Sequence, residues 1–464
     1  MRRPHRAALL GLSVLVLAAC GGGSSSPSST ASAPTPTAGT SEAPAQPGAA
    51  APAWPTYHRD LARTGNDPQA ARVTRVRPAW SASVDGDVYA EPLVAGGRVI
   101  AATENDSLYA FNAATGRRLW RTHLGSPVDG STLPCGNIDP SGITSTPVID
   151  THGGVVYAVA FLSPARHELA ALDLATGRVR WRRGIDPPGA DPQVHQQRSA
   201  LTLANGRVYV PYGGLNGDCG NYHGWVVSAP ARGPSGALAG FRVPTHREGA
   251  IWAPSGAAVD GRGRLFVSTG NGDSTTSFDF GNAVIRLSPS LKRQSFFAPP
   301  NAVSLNGTDS DLASVGPTLL PGGRAFAIGK EGVGYLLDTN SLGGIGHPLA
   351  SRKVCDGAFG GLAYANGKVY VPCTSGVVAL RVGARSLSVA WRGPGFRAGP
   401  PIVAGGLVWA VDLDGGRLNG LTTGSGRAAF RVDIGSPPQF STPSESGGRL
   451  YVSGGKRVLA FTGS

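Results

Sequence analysis

From Trp54 onward, apolar and polar positions alternate in short runs closed by glycine-containing turns, and no stretch takes the i, i+3, i+4 spacing of an amphipathic helix. Eight of these runs begin alike: Gly97-Arg-Val-Ile-Ala101, Gly154-Val-Val-Tyr-Ala158, Gly206-Arg-Val-Tyr-Val210, Gly263-Arg-Leu-Phe-Val267, Gly323-Arg-Ala-Phe-Ala327, Gly367-Lys-Val-Tyr-Val371, Gly406-Leu-Val-Trp-Ala410 and Gly448-Arg-Leu-Tyr-Val452. Short strands recurring every ~40–60 residues without intervening helices are the pattern of propeller blades. A four-stranded sheet that is apolar on both faces must be covered on both, and radial stacking does this while leaving only short edges. Eight copies predict eight blades in an all-β chain.

In the first full copy the pattern predicts strands near Glu91–Ala95 and at Arg98–Thr103, Ser107–Asn112 and Arg117–His123. The two clearest copies are Ala110-Phe-Asn-Ala-Ala-Thr-Gly-Arg-Arg-Leu-Trp120 and Ala171-Leu-Asp-Leu-Ala-Thr-Gly-Arg-Val-Arg-Trp181. Their Thr-Gly turn reverses the chain, and the Trp beyond it is placed to lie flat between neighbouring sheets; Trp80 and Trp391 end comparable stretches. The last copy stops at Val458-Leu-Ala-Phe461-Thr-Gly-Ser464 without an outer strand, while Val76-Arg-Pro-Ala-Trp80-Ser-Ala-Ser-Val84 reads as an orphan one. The ring is therefore expected to close by adding this N-terminal strand to the last blade.

The first 53 residues carry a different pattern. Met1–Arg6 is basic, Ala7–Leu17 is an apolar run too short to span a bilayer, and Leu17-Ala-Ala-Cys20 follows. Residues 1–19 read as a secretory signal and resemble the bacterial lipobox, which implies cleavage before Cys20 and diacylation of its thiol. Residues 20–53 are almost wholly Gly, Ser, Thr, Pro and Ala, with Glu42 the single charge, and read as a disordered tether. The expectation is a lipid-anchored, extracytoplasmic protein of the cell membrane whose residues 54–464 form one propeller domain.

Composition sharpens this reading slightly. Charged residues are 15% of the chain against a usual ~25%, and 41% are hydrophobic, enough for a large core and incompatible with a disordered chain. The net charge is +13, of which Arg2, Arg3 and Arg6 lie in the predicted signal. No run of five like charges occurs, so the excess reads as a solvated basic surface and no nucleic-acid partner is expected.

The Ala-x-Asp-x-x-Thr-Gly-x-x-x-Trp segments resemble the repeat of quinoprotein (pyrroloquinoline quinone, PQQ) dehydrogenase-like propellers, with Asn112 replacing Asp in one copy. The copies ending at Trp391 and Phe430 are degenerate, and those after Tyr209 and Phe266 keep little of the motif. Trp54-Pro-Thr-Tyr-His-Arg-Asp60 is similar to the family's entry segment. One branch of that superfamily binds PQQ and calcium. Another, typified by BamB, is a lipid-anchored scaffold without a cofactor.

Four cysteines remain besides Cys20. In a propeller, the loops between blades and the turns between second and third strands emerge on one side, which brings Cys135 within reach of Cys219 and Cys355 within reach of Cys373. Zinc ligation is the weaker alternative, because no C-x-x-C occurs. The same face is where such rings bind ligands. There the sequence collects Glu91, Glu104, Asn105, Asp106, Trp252, Asn271, Asp273, Lys330, Arg397, Asp412 and Asp414, a candidate binding mouth, although turns demand Asn, Asp and Gly in any propeller.

PQQ dehydrogenases carry adjacent cysteines over the cofactor, a stacking Trp beneath it and a Glu/Asn/Asp set on calcium. No adjacent cysteines exist here; Trp252 could imitate the floor, and Asn271 with Asp273 or Asp412 with Asp414 the calcium set. No C-x-x-C-H, H-E-x-x-H, G-x-S-x-G or P-loop pattern occurs. The sequence thus favours a monomeric binding or scaffolding module with an envelope protein or cell-wall partner, no cofactor, no metal and no catalytic residue assigned. A PQQ- and calcium-dependent alcohol or sugar dehydrogenase is the alternative, and a propeller hydrolase or lyase a third class.

Overall fold

The computed structural model describes residues 53–463, so the predicted signal, Cys20 and nearly all of the tether lie outside the described residues. Eight four-stranded antiparallel units form, and the described residues make a propeller. Blades 1 to 8 open with the innermost strands Leu93–Ala95, Val148–Asp150, Thr202–Ala204, Ala258–Val259, Thr318–Leu320, Ala363–Ala365, Ile402–Ala404 and Ser444–Ser446. In blade 1 the second and third strands fall at Arg98–Thr103 and Ser107–Asn112, as the alternation predicts, and the outer one at Arg118–His123, starting one residue later than expected. Val76–Ser83 pairs antiparallel with Arg457–Gly463 and supplies the outer strand of blade 8, so the ring closes by joining the two ends of the domain.

Blade-to-blade packing follows one rule that the tryptophans only partly reveal. Trp80, Trp120 and Trp391 each donate their indole N–H to a main-chain carbonyl in the turn between third and outer strands of the next blade: Ala113 at 3.0 Å, Leu174 at 3.1 Å and Thr423 at 3.0 Å. The turn glycine is required there, since it adopts a positive φ and a Cβ on Gly116 would meet the Trp80 ring at 2.6 Å. At four of the other joints a different donor reaches the equivalent carbonyl. Tyr157 donates to Ala231 and Tyr209 to Pro289, both at 2.8 Å; Arg286 donates to Thr339 and Asn340 at 2.7 Å, and Arg324 to Gly383 at 2.6 Å. Trp181 makes no such bond and packs on Tyr157, ring centroids 5.9 Å apart, in the core shared by blades 2 and 3.

The axis is filled at one end by Trp54–Asp67. This segment satisfies the free edge of one innermost strand after another: Trp54 exchanges two main-chain bonds with Val94, Pro55 accepts from Ile149, Leu61 from Val259, Ala62 from Leu319, Thr64 from Tyr364 and Gly65 from Val403. Arg63 covers blade 3 through Leu201 and Thr202, and Asp67 meets Glu445 of blade 8. Every blade is thereby tied to a common hub, which removes the unpaired inner edges that would otherwise face an open channel.

Arg63 is fully buried, with its three nitrogens shared among Ala257, Thr56, Tyr57, Leu201 and Thr202. Burial lowers its pKa to about 10 against the opposing pull of Asp60 and Glu91, so it stays charged.

Candidate functional site

The opposite end of the axis opens into a cavity of about 310 Å³. Its walls come from the loops entering blades 3, 4 and 5 and from the turns between second and third strands of the same three blades. One wall is the segment Gly214–Asp218 with Tyr222, whose hydroxyl donates to Asp218 at 2.6 Å. The disulfide Cys135–Cys219 pins this wall to the loop between blades 1 and 2. The second disulfide, Cys355–Cys373, ties the loop entering blade 6 to that blade's second strand. Both pairings match the expectation from loop sidedness.

The charged centre is compact. Lys330 Nζ lies 2.6 Å from both Asp309 Oδ1 and Asp311 Oδ2, and 5.8 Å from the centre of the Trp252 ring. Asn271 braces the two carboxylates, its main-chain N–H donating to Asp311 at 2.8 Å and its side-chain amide to Asp309 at 3.0 Å. Its carbonyl oxygen accepts from Asn282, whose own carbonyl accepts from Leu312 N–H. Burial raises the Asp311 pKa while Lys330 opposes it. Burial also works against charge on Asp309, yet the Lys330 hydrogen bond holds that carboxyl below its usual range. Lys330 is held above its usual value by the same two carboxylates, despite its own desolvation. Across the axis, Phe440 from the loop entering blade 8 packs on Trp252 with centroids 6.2 Å apart, and Arg198 sits 5.4 Å over the Phe440 ring. Phe440 has φ of 68°, a left-handed conformation unusual for a bulky residue.

Of the sequence-predicted mouth residues, the structure brings Trp252, Asn271 and Lys330 together around this cavity. The others lie elsewhere. Glu91 is buried at the hub, accepting from Trp54 Nε1 and His58 N–H at 2.8 Å, so it holds the entry segment. Glu104 lines a smaller recess of about 170 Å³ with Asp87, Tyr89 and Lys456; burial raises its pKa to about 7. Asp106 is buried behind it, pushed up to about 9 by desolvation and then by the Glu104 charge. Asp273 pairs with His246, and Arg397 with Asp414, near the surface. Arg397 also lines a recess of about 250 Å³ beside Phe359 and Phe440. Asp412 folds back on its own turn, accepting from Gly415 N–H.

Sequence reading missed Asp309, Asp311, Arg198, Asp218, Tyr222 and Phe440. Asp309-Ser-Asp311 has the same spacing as Asp412-Leu-Asp414, and only the loop's path across the mouth separates the two. A calcium set fits poorly. Asn271's carbonyl is engaged, both aspartates are tied to Lys330, and among the described residues no group of three His, Cys, Asp or Glu is placed to hold a metal ion.

Residues 71–215 match the family model described as outer membrane protein assembly factor BamB. A polyvinylalcohol dehydrogenase of Sphingopyxis sp. (strain 113P3) is 23% identical over 244 residues, 47% of this chain and 34% of that protein. The dehydrogenase subunit of a quinone-type alcohol dehydrogenase of Komagataeibacter europaeus is 29% identical over 174 residues, 35% of this chain and 22% of that one. The chain thus aligns with about a third or less of the length of these curated relatives. Among solved structures, quinohemoprotein alcohol dehydrogenase from Comamonas testosteroni superposes with a TM-score of 0.68 at 17% identity, covering 89% of this chain and 80% of that one. BamB from Moraxella catarrhalis superposes with a TM-score of 0.59 at 16% identity, covering 84% and 100%. The described residues form an eight-bladed propeller, a fold shared with both of these solved structures.

Proposed function

We propose that this chain is a binding module of the cell envelope, held to the membrane through a diacylglyceryl Cys20, whose axial mouth captures a compact polar ligand or a polar segment of an envelope partner. The observation carrying this reading is the braced Lys330–Asp309–Asp311 centre under Trp252, in a pit whose wall is pinned by Cys135–Cys219. Groups fixed beforehand by disulfide, ion pair and hydrogen bond lose little freedom on association, which favours binding. An aromatic face ringed by amides and carboxylates suits a hydroxyl- or carbonyl-rich ligand. A pull-down from solubilised membranes tests it: the wild-type chain should enrich a partner or glycan that a Trp252→Ala, Lys330→Ala double variant does not.

A second reading, a quinoprotein oxidoreductase, draws support from the Trp252 floor beside Lys330 and from the names of the relatives. Incubation with PQQ and Ca²⁺, followed by cofactor absorbance and dye reduction with alcohols, separates the two. Saturable cofactor binding with turnover would replace the binding-module reading.

A further inference from the structure

The face carrying the hub has a groove of its own, about 500 Å³, between blades 4 and 5. Its floor is apolar, made by Val259, Leu319, Leu320 and Pro321 with Ala62 of the hub. Its rim carries three guanidinium groups, Arg262, Arg264 and Arg324, against one carboxylate, Asp260. That carboxylate is already committed, accepting from Arg264 Nε at 2.6 Å. Arg324 is anchored by the Pro321 and Gly383 carbonyls and Arg262 by the Asn340 side chain, contacts that fix the groups without neutralising them. Arg286, bonded to the Thr339 and Asn340 carbonyls beyond the rim, is a further cation close to Arg264, with Asp260 and Asp338 also in electrostatic reach. Like charges held beside an apolar, low-dielectric floor focus a positive potential, and pre-positioned guanidinium forks match the oxygens of phosphate.

We propose that this groove is a second binding site, beyond the mouth reading, for a single amphiphilic anion: a phosphate head against Arg262, Arg264 and Arg324, with its apolar body on Leu319, Leu320 and Pro321. Its concavity selects one molecule over a bilayer surface. Insertion into lipid needs protruding apolar side chains, and Ile345 is the sole large hydrophobic residue exposed among the described residues.

The test uses the full chain carrying Cys20→Ser, titrated calorimetrically with octyl phosphate, inorganic phosphate and octyl glucoside. Octyl phosphate should bind one to one and saturably, more weakly at higher salt, and more tightly than either control, each of which lacks one half of the match. Arg262→Glu, at an exposed side chain with one long hydrogen bond, should weaken it by about tenfold or more, with the melting temperature unchanged. Equal binding of octyl glucoside, or unchanged affinity in Arg262→Glu, overturns the site. Binding to phosphatidylglycerol vesicles without binding of monomeric octyl phosphate overturns it in favour of a membrane-facing surface.

Discussion

Blades 8, 1, 2 and 6 keep tryptophans within their outer strands, and the turns that receive the docked indoles are short. Blades 3 to 5 have lost that signature, and they alone supply the turns between second and third strands that wall the mouth. Both regions nevertheless solve the packing problem at the same atom, a main-chain carbonyl in the next blade's outer turn. In the first it is met by an indole N–H, except in blade 2, where the Tyr157 hydroxyl donates; in the second it is met by a tyrosine hydroxyl or an arginine fork. The difference teaches that the joint selects a donor of the right reach and does not select tryptophan. Sequence freedom at the joint is what lets the middle blades diverge while the ring stays closed.

Substitutions across the joints would break or sharpen this contrast. Trp120→Ala, which empties a buried indole-sized space and orphans the Leu174 carbonyl, should cost ~3–5 kcal/mol in a urea melt. Arg286→Met leaves two carbonyls without their donor and should cost ~2–3 kcal/mol, close enough to the tryptophan joint to show that the two are equivalent devices. Tyr209→Phe, losing the hydroxyl bond donated to Pro289 and the one accepted from Asn205, should cost ~1–2 kcal/mol. If Arg286→Met and Tyr209→Phe were both silent, the middle blades would be held by apolar packing alone.

A separate effect is expected from pH, and it contrasts the buried carboxyls of blade 1 with the ion-paired ones of the mouth. Glu104 and Asp106 are raised to about 7 and about 9, so the folded state retains protons that the unfolded chain releases near pH 4. Their contribution to stability is full below that pH and is lost as pH rises through about 7 and then about 9. The melting temperature should therefore decline over pH 5–9, and Glu104→Gln with Asp106→Asn should flatten the slope. A melting temperature rising over that range would contradict the burial assigned to the pair.

The legibility of the fold followed from which interactions leave a side-chain trace. Period-two alternation placed Arg98–Thr103 and Ser107–Asn112 to the residue, because each strand shows both faces to packed neighbours. The missing last strand and the orphan Val76–Ser83 announced closure by complementarity of pattern. The hub was not readable, because Pro55, Leu61, Ala62, Thr64 and Gly65 act through their carbonyls, which every residue type has. The mouth was half readable. Trp252 stood out by size, but Asp309 and Asp311 could not be told from Asp412 and Asp414, since a carboxylate capping its own turn and one facing a lysine across a cavity look alike in a sequence.

The hub also sets an order of events. Residues 54–67 are the earliest part of the ring to leave the ribosome, yet their bonding partners are spread from Val94 to Glu445, so they can settle only after the last sheet exists. Val76–Ser83 must likewise wait for Arg457–Gly463. Assembly of the ring is therefore bound to finish with the residues of it made first. Until then the sheets share an unfilled centre, and the interval between forming the last sheet and seating residues 54–67 is when the molecule is most exposed to pairing with a neighbour.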